Sequence, residues 1–339
     1  MTSRWVISAV VLVYLLLSTA VMRTPDETGA PPPFPSWRTA LVEEAVARGF
    51  ERPLVQEALG NLQPSRRVLQ LDRTQAQTPA ALAVYLSERV TPELIARGRD
   101  MMNRHEAVLA EIERAFGVQR EFLVAIWGAE SGYGHYTGDV PVFQALATLA
   151  WDRRRSVYFR TELFNALAVL RAGHIGRDRM TGSWAGAMGQ PQFMPSSYLE
   201  YAVDFDRDGR TDIWDSAADT LASIARYLQR HGWEWDTEWG EEVTLTPAVR
   251  AAIEREIPRR TSGCGAIRAL TEPRPVGEWG DRGVRAGEGT ELPRNRLAAS
   301  LLSVEDRAFL VSRNYESVLQ YNCSHRYALS VSMLADGLQ

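Results

Sequence analysis

The sequence predicts an α+β fold in which helices predominate. Apolar residues recur at the spacing of a helix turn along most of the chain, whereas strand-like character is confined to Glu241-Glu-Val-Thr-Leu-Thr246, and a stretch rich in Gly, Pro and Trp follows at 271–292. The predicted helices are 37–60, 92–116, 120–130, 142–150, 157–172, 217–231 and 324–338, with an irregular Gly-rich segment at 181–195. This order of elements favours one helical body that carries a small β-containing part.

These elements divide the chain into consecutive parts. They are an N-terminal export segment (1–22), a Pro-rich linker (23–36), an N-terminal helical domain (37–110), a central core (111–240), a small β-containing insertion (241–300) and a C-terminal return to the core (301–339). The chain is long enough to bury a sizeable apolar core in such an arrangement.

The first residues indicate export. Arg4 precedes an uncharged run from Trp5 to Met22, and Ser18-Thr-Ala20 offers a small-residue cleavage site. The run is also long enough to stay in a membrane as an anchor, so cleavage and retention both remain open. After export, Cys264 and Cys323 meet an oxidising environment, which favours a disulfide between them over two buried thiols.

The composition excludes several functions. The net charge is only -4 and no basic stripe is visible, so we expect no nucleic-acid binding. The sequence contains no Lys, which excludes Walker-A phosphate binding, Schiff-base chemistry and Ser-Lys dyads. The 5 His residues are scattered without the spacing of zinc ligands. We therefore expect neither zinc nor an organic cofactor.

Glu130 is the leading candidate for acid–base chemistry. It ends the apolar run Glu121-Phe-Leu-Val-Ala-Ile-Trp-Gly-Ala-Glu130 and is followed at once by Ser131-Gly-Tyr-Gly134. Helical spacing puts Phe122, Ile126 and Ala129 on one stripe, so Glu130 is predicted in the last turn of a buried helix. The negative end of the helix dipole and partial desolvation both raise its pKa, which suits a general acid. The alternative is a helix-end Glu paired with a nearby Arg.

A second motif supplies a candidate binding surface. In Gly182-Ser-Trp-Ala-Gly-Ala-Met-Gly-Gln-Pro-Gln-Phe-Met-Pro-Ser-Ser-Tyr198 the glycines permit close backbone approach, and Ser183 and Gln192 can hydrogen-bond a neutral polar ligand. Apolar side chains, Met188 and Phe193 among them, offer surface on which the faces of sugars stack. For such a segment taken alone, a packed loop without a ligand is the commoner outcome.

Together the two motifs resemble the membrane-bound lytic murein transglycosylase B family. The resemblance rests on Trp127-Gly-Ala-Glu-Ser-Gly-Tyr-Gly134 and Ser183-Trp-Ala-Gly-Ala-Met-Gly-Gln-Pro-Gln-Phe-Met-Pro-Ser-Ser197, and it extends from about Trp37 to the C-terminus. It implies a lysozyme-like catalytic core in 111–240, a periplasmic location, and Glu130 as the sole catalytic acid and base. The substrate-contacting residues that it implies are Tyr85, Ser131, Ser183, Met188, Gln192, Phe193, Tyr227, Tyr321 and Asn322.

The acidic residues near Glu130 agree with that chemistry. An ordinary glycosidase needs two carboxylates across the scissile bond. Around Glu130 and the Gly-rich loop no second candidate is visible except Asp139, which we expect to cap the next helix. A single acid suffices if the substrate supplies its own nucleophile. The resemblance implies that Glu130 protonates the glycosidic oxygen and then deprotonates the C6 hydroxyl, which gives a 1,6-anhydro sugar without water.

A third motif predicts a structural calcium site. The segment Asp204-Phe-Asp-Arg-Asp-Gly-Arg-Thr-Asp-Ile-Trp-Asp215 has the spacing of an EF-hand loop, with Asp in place of Glu at position 12. Proteins of the family that it resembles use a later Asp, so two residues compete for the last position. The candidate ligands are Asp204, Asp206, Asp208, Arg210 through its carbonyl, and either Asp215 or Asp219. The alternative is a solvated acidic turn.

The sequence therefore predicts an exported lytic transglycosylase that acts on peptidoglycan glycan strands. A hydrolytic muramidase, which uses water in place of the C6 hydroxyl, and a non-catalytic peptidoglycan-binding scaffold are the alternatives. Proteins of cell-wall synthesis or division are candidate partners. A membrane is contacted only through the N-terminal segment, with residues 5–22 as the anchor, if that segment is not cleaved.

Overall fold

The computed structural model describes residues 31–74 and 81–339. The predicted export segment, 1–22, and most of the predicted linker lie outside the described residues. Among the helices of the described ranges, none combines the length and the apolar character needed to cross a membrane. Helices predominate in these ranges, and the strands form a two-stranded and a five-stranded sheet.

The N-terminal part is a series of short helices. They are α1 (Phe34–Ala47), α2 (Arg52–Leu59), α3 (Arg66–Thr74), α4 (Leu82–Arg89), α5 (Pro92–Arg104) and α6 (Glu106–Phe116). The predicted helix 37–60 is interrupted at Gly49, which has a φ of 89°. The predicted helix 92–116 divides at His105, whose φ of -108° and ψ of 20° end α5. Such short breaks barely disturb the apolar period, so periodicity alone did not reveal them.

The central core surrounds α7 (Arg120–Ser131). Its other elements are α8 (Val142–Trp151), α9 (Ser156–Ala172), α10 (Pro195–Tyr201), α11 (Ala217–Arg230) and the antiparallel pair β1 (Val140–Pro141) and β2 (Thr181–Gly182). The segment 122–128 is buried throughout, which agrees with the predicted buried helix, and the burial extends beyond the predicted stripe to all sides of α7. Leu123 and Val124 lie off that stripe and are also completely buried, and an apolar surface all round is the pattern of a fully buried helix.

An antiparallel sheet forms the small β-containing part. Its strands are β3 (Gly240–Thr244), β4 (Arg274–Pro275), β5 (Arg285–Ala286), β6 (Ala298–Val304) and β7 (Arg307–Val311), in the order β4-β6-β7-β3-β5. The helices of this part are α12 (Pro247–Glu256), α13 (Gly265–Ala269) and α14 (Val276–Asp281). The β6–β7 hairpin pairs Leu301 with Leu310, and both pack with the fully buried Trp279 in a separate core. The predicted boundary at 300 falls inside β6, so the sheet continues past it to Val311.

The chain returns to the core through α15 (Arg313–Tyr321) and α16 (His325–Leu338). α16 packs against α7, α4 and α5, and its Leu329 and Val331 are fully buried there. Ser324 caps α16, because its hydroxyl accepts a hydrogen bond from the Tyr327 amide. This return brings residues from the C-terminal end of the chain beside the last turn of α7.

Cys264 and Cys323 form a disulfide with an S–S distance of 2.02 Å. Cys264 precedes α13 in the β-containing part, and Cys323 lies in the turn between α15 and α16. The bridge therefore ties the β-containing part to the turn from which α16 starts.

Replacing both cysteines by Ser should lower the free energy of unfolding by about 4 kcal/mol, because a cross-link over a long loop restricts the unfolded chain. The two cysteines are 59 residues apart in the sequence. Urea unfolding of oxidised wild type and of the double variant measures the difference. Reduced wild type is the control and should behave like the double variant. Equal transition midpoints for the oxidised wild type and the double variant would show that the bridge does not stabilise the fold.

Candidate active site

Glu130 lies in the last turn of α7, at the position that the sequence predicts. Gly132 ends the helix in the left-handed region with a φ of 56°. Gly128 leaves room for the Tyr133 ring, which a Cβ at position 128 would approach to 2.7 Å. The chain therefore turns back closely against α7 after Glu130. The half-buried Glu130 side chain meets α16, where the Tyr327 hydroxyl donates a hydrogen bond of 2.6 Å to Glu130 Oε1.

The surroundings of Glu130 favour its protonated form. Burial raises its pKa to about 7, although the Tyr327 hydrogen bond and the positive charge of Arg89 both lower it. Among the described residues Glu130 forms no ion pair, so the alternative of a helix-end Glu paired with Arg does not describe its contacts. A carboxyl with a pKa near neutrality can donate a proton and later accept one at the same pH.

A cavity of about 290 Å³ opens beside Glu130. It lies between α4, the end of α7 and α16, and two predicted substrate-contacting residues, Tyr85 and Ser131, are on its wall. The Ser131 side chain is almost completely buried. Its hydroxyl donates to the Trp127 carbonyl and accepts from the Gly134 amide, at 3.2 Å and 3.0 Å. Ser131 therefore fixes the turn that follows Glu130, and Tyr85 offers the ring toward the cavity.

The cavity contains a second carboxylate that the local sequence did not reveal. Glu88, on α4, lines it together with Glu130. The expectation that Asp139 caps the next helix was wrong, because Pro141 occupies the N-cap of α8. Asp139 instead forms an exposed ion pair with Arg67 at 3.1 Å. Glu88 was overlooked because it is remote from Glu130 in the sequence and reaches the cavity only through tertiary packing.

The Gly-rich loop is held by its own polar side chains. The Ser183 hydroxyl accepts hydrogen bonds from the amides of Ala185 and Ala187, at 3.3 Å and 3.1 Å. Gln192 donates to the carbonyls of Thr137 and Gly189, at 3.0 Å and 2.8 Å, and has a φ of 52°. Both polar side chains therefore shape the loop, and neither is among the residues that line the cavity beside Glu130.

The predicted apolar platform of the loop is turned inward. Met188 is completely buried and Phe193 is 2% exposed. The Met188 amide donates a hydrogen bond to the Phe193 carbonyl at 2.8 Å, and the Phe193 amide donates to the Met188 carbonyl at 3.0 Å. These two bonds close the loop. In this conformation the Met188 and Phe193 side chains pack into the core with α8 and α9. They therefore stabilise the loop and do not present a surface for stacking.

Two of the predicted tyrosines, Tyr227 and Tyr321, form an aromatic cluster with Phe193 of the loop. The Tyr227 and Tyr321 ring centroids are 4.8 Å apart, and each lies within 6 Å of the Phe193 ring, at 5.7 Å and 5.8 Å. The Tyr227 hydroxyl donates to the Gln320 carbonyl and the Tyr321 hydroxyl to the Pro191 carbonyl, at 2.7 Å and 2.6 Å. Asn322, which follows Tyr321, is exposed.

Two residues that join these parts were missed at the sequence level. Tyr327, on α16, donates a hydrogen bond from its hydroxyl to Glu130. The Tyr327 ring lies nearly parallel to the Tyr321 ring, at a centroid distance of 6.5 Å. Gln190 is buried and connects the loop to α7, because its Oε1 accepts from Trp127 Nε1 at 2.8 Å. Its side-chain nitrogen, Nε2, donates a hydrogen bond to the Trp214 carbonyl at 2.8 Å. The only local signal for Gln190 was its place inside the Gly-rich motif.

The acidic loop gathers three of its predicted ligands. One oxygen each of Asp204, Asp206 and Asp219 lies within 4.8 Å of the others. Asp215 is not in this group, because it forms an exposed ion pair with Arg179. The Asp208 carboxylate accepts from the Arg210 amide at 2.8 Å and is also outside the group. The geometry therefore favours Asp219 over Asp215, a choice that the sequence left open.

This carboxylate group fits a cation. Asp204 Oδ1 is buried and has no hydrogen-bond partner, and Asp219 is completely buried. Burial raises the pKa of Asp219 in spite of three backbone hydrogen bonds that lower it. Buried carboxylate oxygens that lack a positive partner are costly, and oxygen ligands of this kind are those that Ca²⁺ prefers.

Comparison with known proteins places the chain in a class that agrees with this geometry. The chain belongs to the family described as the transglycosylase SLT domain, whose model matches residues 33–336. The family that the sequence motifs predict is thereby confirmed, and so is the predominantly helical α+β fold with a lysozyme-like core.

Individual relatives carry related names. The chain is 37% identical over 195 residues to the membrane-bound lytic murein transglycosylase B of Escherichia coli (strain K12). The aligned region covers 55% of this chain and 54% of that protein. This match thus spans about half the length of the relative. The structure of SltB3 from Pseudomonas aeruginosa in complex with NAG-anhNAM-pentapeptide has a TM-score of 0.81 and 37% identity, and covers 90% of this chain and 79% of that chain. The Escherichia coli lytic transglycosylase Slt35 in complex with calcium has a TM-score of 0.74 and 28% identity, and covers 89% and 92%.

Replacing Glu130 by Gln should stabilise the protein at pH 8 and leave its stability unchanged at pH 4. The pKa of Glu130 is about 7 in the native state and has its ordinary value of 4.5 in the unfolded state. Between these two values the native state binds more protons than the unfolded state, so the free energy of unfolding falls as the pH rises from 4.5 to about 7. The loss is about 3 kcal/mol at most, and Gln avoids it because it stays neutral. Thermal unfolding of both proteins at the two pH values measures the effect. The same difference at pH 4 and pH 8 would contradict the raised pKa.

Proposed function

We propose that the chain is a lytic transglycosylase that cleaves the β-1,4 bond between the MurNAc and GlcNAc residues of peptidoglycan without water and leaves a 1,6-anhydromuramoyl product. The observation that carries this proposal is the position of Glu130 on the cavity wall, with burial raising its pKa to about 7. Family membership supports the class of reaction. The NAG-anhNAM-pentapeptide bound to SltB3 supports the class of product.

Glu130 serves in turn as acid and as base. It first protonates the glycosidic oxygen, the bond from that oxygen to C1 of the muramic residue breaks, and the acetamido oxygen of the same residue stabilises C1. The Glu130 carboxylate then takes the proton of the C6 hydroxyl, whose oxygen bonds to C1 and closes the anhydro ring. Glu130 is protonated again at the end, and neither water nor a cofactor is consumed. The Tyr327 hydrogen bond stabilises the carboxylate that exists between the two steps.

The remaining predicted residues have different roles around Glu130, from direct contact with the sugar to support of the Gly-rich loop. Tyr85 on the cavity wall and the exposed Asn322 are the ones that we assign to direct sugar contact. Ser183 and Gln192 keep free hydrogen-bonding capacity beyond the bonds that hold their loop. Tyr227 and Tyr321 support that loop through the aromatic cluster.

Hydrolysis is the second candidate, and Glu88 is the observation that favours it. Two carboxyl groups on one cavity are what a hydrolytic glycosidase needs, one to protonate the leaving oxygen and one to activate water. Glu88 is exposed, whereas Glu130 is half-buried and bonded to Tyr327, so the two differ in the way that an acid and a base do. The products separate the two reactions, because a hydrolytic product is heavier by one water.

Replacing Glu130 by Gln should reduce cleavage of purified murein sacculi by about 10³-fold or more, because the only group that protonates the leaving oxygen is lost. Mass spectrometry of the soluble products from wild type should show anhydromuropeptides. The matched control is Glu88→Gln, which should leave the mass of the wild-type product unchanged. Products heavier by one water would support hydrolysis, and unaltered turnover by Glu130→Gln would overturn the proposed function.

We also propose that the acidic loop binds Ca²⁺ as a structural ion. Asp204, Asp206 and Asp219 would hold it, and the carbonyl of Arg210 is a further predicted ligand. The calcium complex of Slt35 supports the choice of ion. The ion would neutralise the buried carboxylates and pin the start of α11 against the loop. It would take no part in breaking the glycosidic bond.

Calcium should raise the melting temperature of wild type, because an ion that binds only the folded state stabilises it. Asp204→Asn should abolish this increase, since Oδ1 of Asp204 is the buried oxygen without a partner. Asp215→Asn is the matched control and should retain the increase, because Asp215 pairs with Arg179. Scanning calorimetry with added calcium or with chelator measures the shifts. A loss of the increase in Asp215→Asn but not in Asp204→Asn would contradict the assignment.

The proposed place of action is the periplasm, where peptidoglycan strands are accessible. The predicted export segment at 1–22 supports this location, and so does the name of the membrane-bound relative. The proposed partner is the glycan strand, and proteins of cell-wall synthesis or division remain candidates.

A further inference from the structure

One face of α4 turns three side chains toward the cavity beside Glu130. Tyr85, Glu88 and Arg89 all line it, and they are three and four residues apart, the spacing that puts side chains on one side of a helix. Only Tyr85 belongs to the predicted substrate-contacting residues. The two charged residues of this face, Glu88 and Arg89, have no part in the proposed reaction so far.

The position of α4 is fixed at its start. Glu305 lies in the turn between β6 and β7, and its carboxylate accepts a hydrogen bond from the Leu82 amide at 2.9 Å. The same carboxylate forms an ion pair of 2.8 Å with Arg326 on α16. α4 also packs directly on α16. The cavity face of α4 is therefore held in register with Tyr327 and Glu130, so charged groups on that face have a defined place relative to the reacting bond.

The Arg89 guanidinium is held over a ring and lacks a carboxylate partner. Its Cζ lies 5.5 Å from the centroid of the Tyr85 ring, which orients the planar group. In residues 31–74 and 81–339, no carboxylate oxygen lies within 4.0 Å of its nitrogens. Its charge nevertheless acts on Glu130, whose pKa it lowers. Arg89 thus places positive charge close to the acid and leaves its hydrogen-bond donors available to a ligand.

The chemistry of such a group selects a carboxylate. A guanidinium is always charged, is weakly hydrated and binds carboxylates through two parallel hydrogen bonds. Every muramic residue of the proposed substrate carries a carboxyl on its lactyl group, which is either free or continued by a peptide that has carboxylates of its own. The muramic residue whose glycosidic oxygen Glu130 protonates therefore brings an acidic substituent into the region of Arg89.

We propose that Arg89 binds a carboxylate on the substituent of the muramic residue that is being cleaved, and that it sets the preference of the enzyme for strands that carry this charge. This inference rests on the proposed function and extends it from the sugar to its substituent. The free lactyl carboxylate and a carboxylate of the stem peptide share this chemistry. Glu88 opposes the binding by repulsion, so the two neighbours act with opposite sign.

Arg89→Gln is the test variant, and three substrates are compared with it. They are glycan strands that carry stem peptides, strands stripped of peptides by an amidase, and peptide-bearing strands whose carboxyl groups have been converted to amides. Arg89→Gln should raise KM about tenfold on a carboxylate-bearing strand and leave the KM for the amidated strand unchanged. Loss of the charge that lowers the pKa of Glu130 shifts the pH profile of kcat equally on all three strands, so KM is the constant that is compared. An increase with the peptide-bearing strands alone identifies the stem peptide as the source, and an increase with the stripped strands identifies the lactyl group.

Two further variants separate binding from structure. Glu88→Gln should lower KM on the same carboxylate-bearing strand, a change of sign that a loss of folding cannot produce. Arg66→Gln, which removes an exposed arginine on α3, is the matched control for a lost positive charge and should change neither constant. An equal loss on charged and amidated strands, or a change confined to the pH profile of kcat, would overturn the inference. Failure of wild type to cleave any strand would instead overturn the proposed function.

Discussion

The Glu130 carboxyl and the Tyr327 hydroxyl meet in a site largely removed from water, and the proposed chemistry rests on this contact. Burial raises the pKa of Glu130 to about 7 in spite of that hydrogen bond and the charge of Arg89. Without burial the carboxyl would be ionised at neutral pH and could not donate a proton. Without the hydrogen bond the carboxylate formed after donation would be less stable. In the proposed mechanism, the balance of burial and hydrogen bonding lets this one carboxyl act first as an acid and then as a base.

The fold is arranged to hold this pair together across 197 residues of sequence. α7 supplies Glu130 from the middle of the core, and its burial on all sides leaves the helix little freedom to move. α16 supplies Tyr327 after the chain has passed through the β-containing part. The disulfide at Cys323 and the Ser324 cap fix the turn from which α16 starts. Stability of the C-terminal return and the protonation of Glu130 are thus linked.

The parts that the sequence predicts are those encoded locally. The apolar run and the glycines after it place Glu130 at a helix end, and the spacing of Asp204 and Asp206 marks the acidic loop. Contacts that join distant segments could not be predicted in this way. Tyr327 stands in an ordinary helical pattern, and only the packing of α16 on α7 gives it a role. Burial in the loop likewise depends on tertiary contacts, which is why Met188 was expected at the surface and lies in the core.

The protonation of Glu130 can be measured directly, by infrared difference spectroscopy of wild type against Glu130→Gln. The carboxyl band that distinguishes the two proteins should disappear with a midpoint near pH 7 as the pH rises, in agreement with the pKa of about 7. In Tyr327→Phe the midpoint should move higher, because a hydrogen bond that favours the carboxylate is removed. A midpoint in wild type near the ordinary value of 4.5 would show that Glu130 is ionised at neutral pH and is not the proton donor.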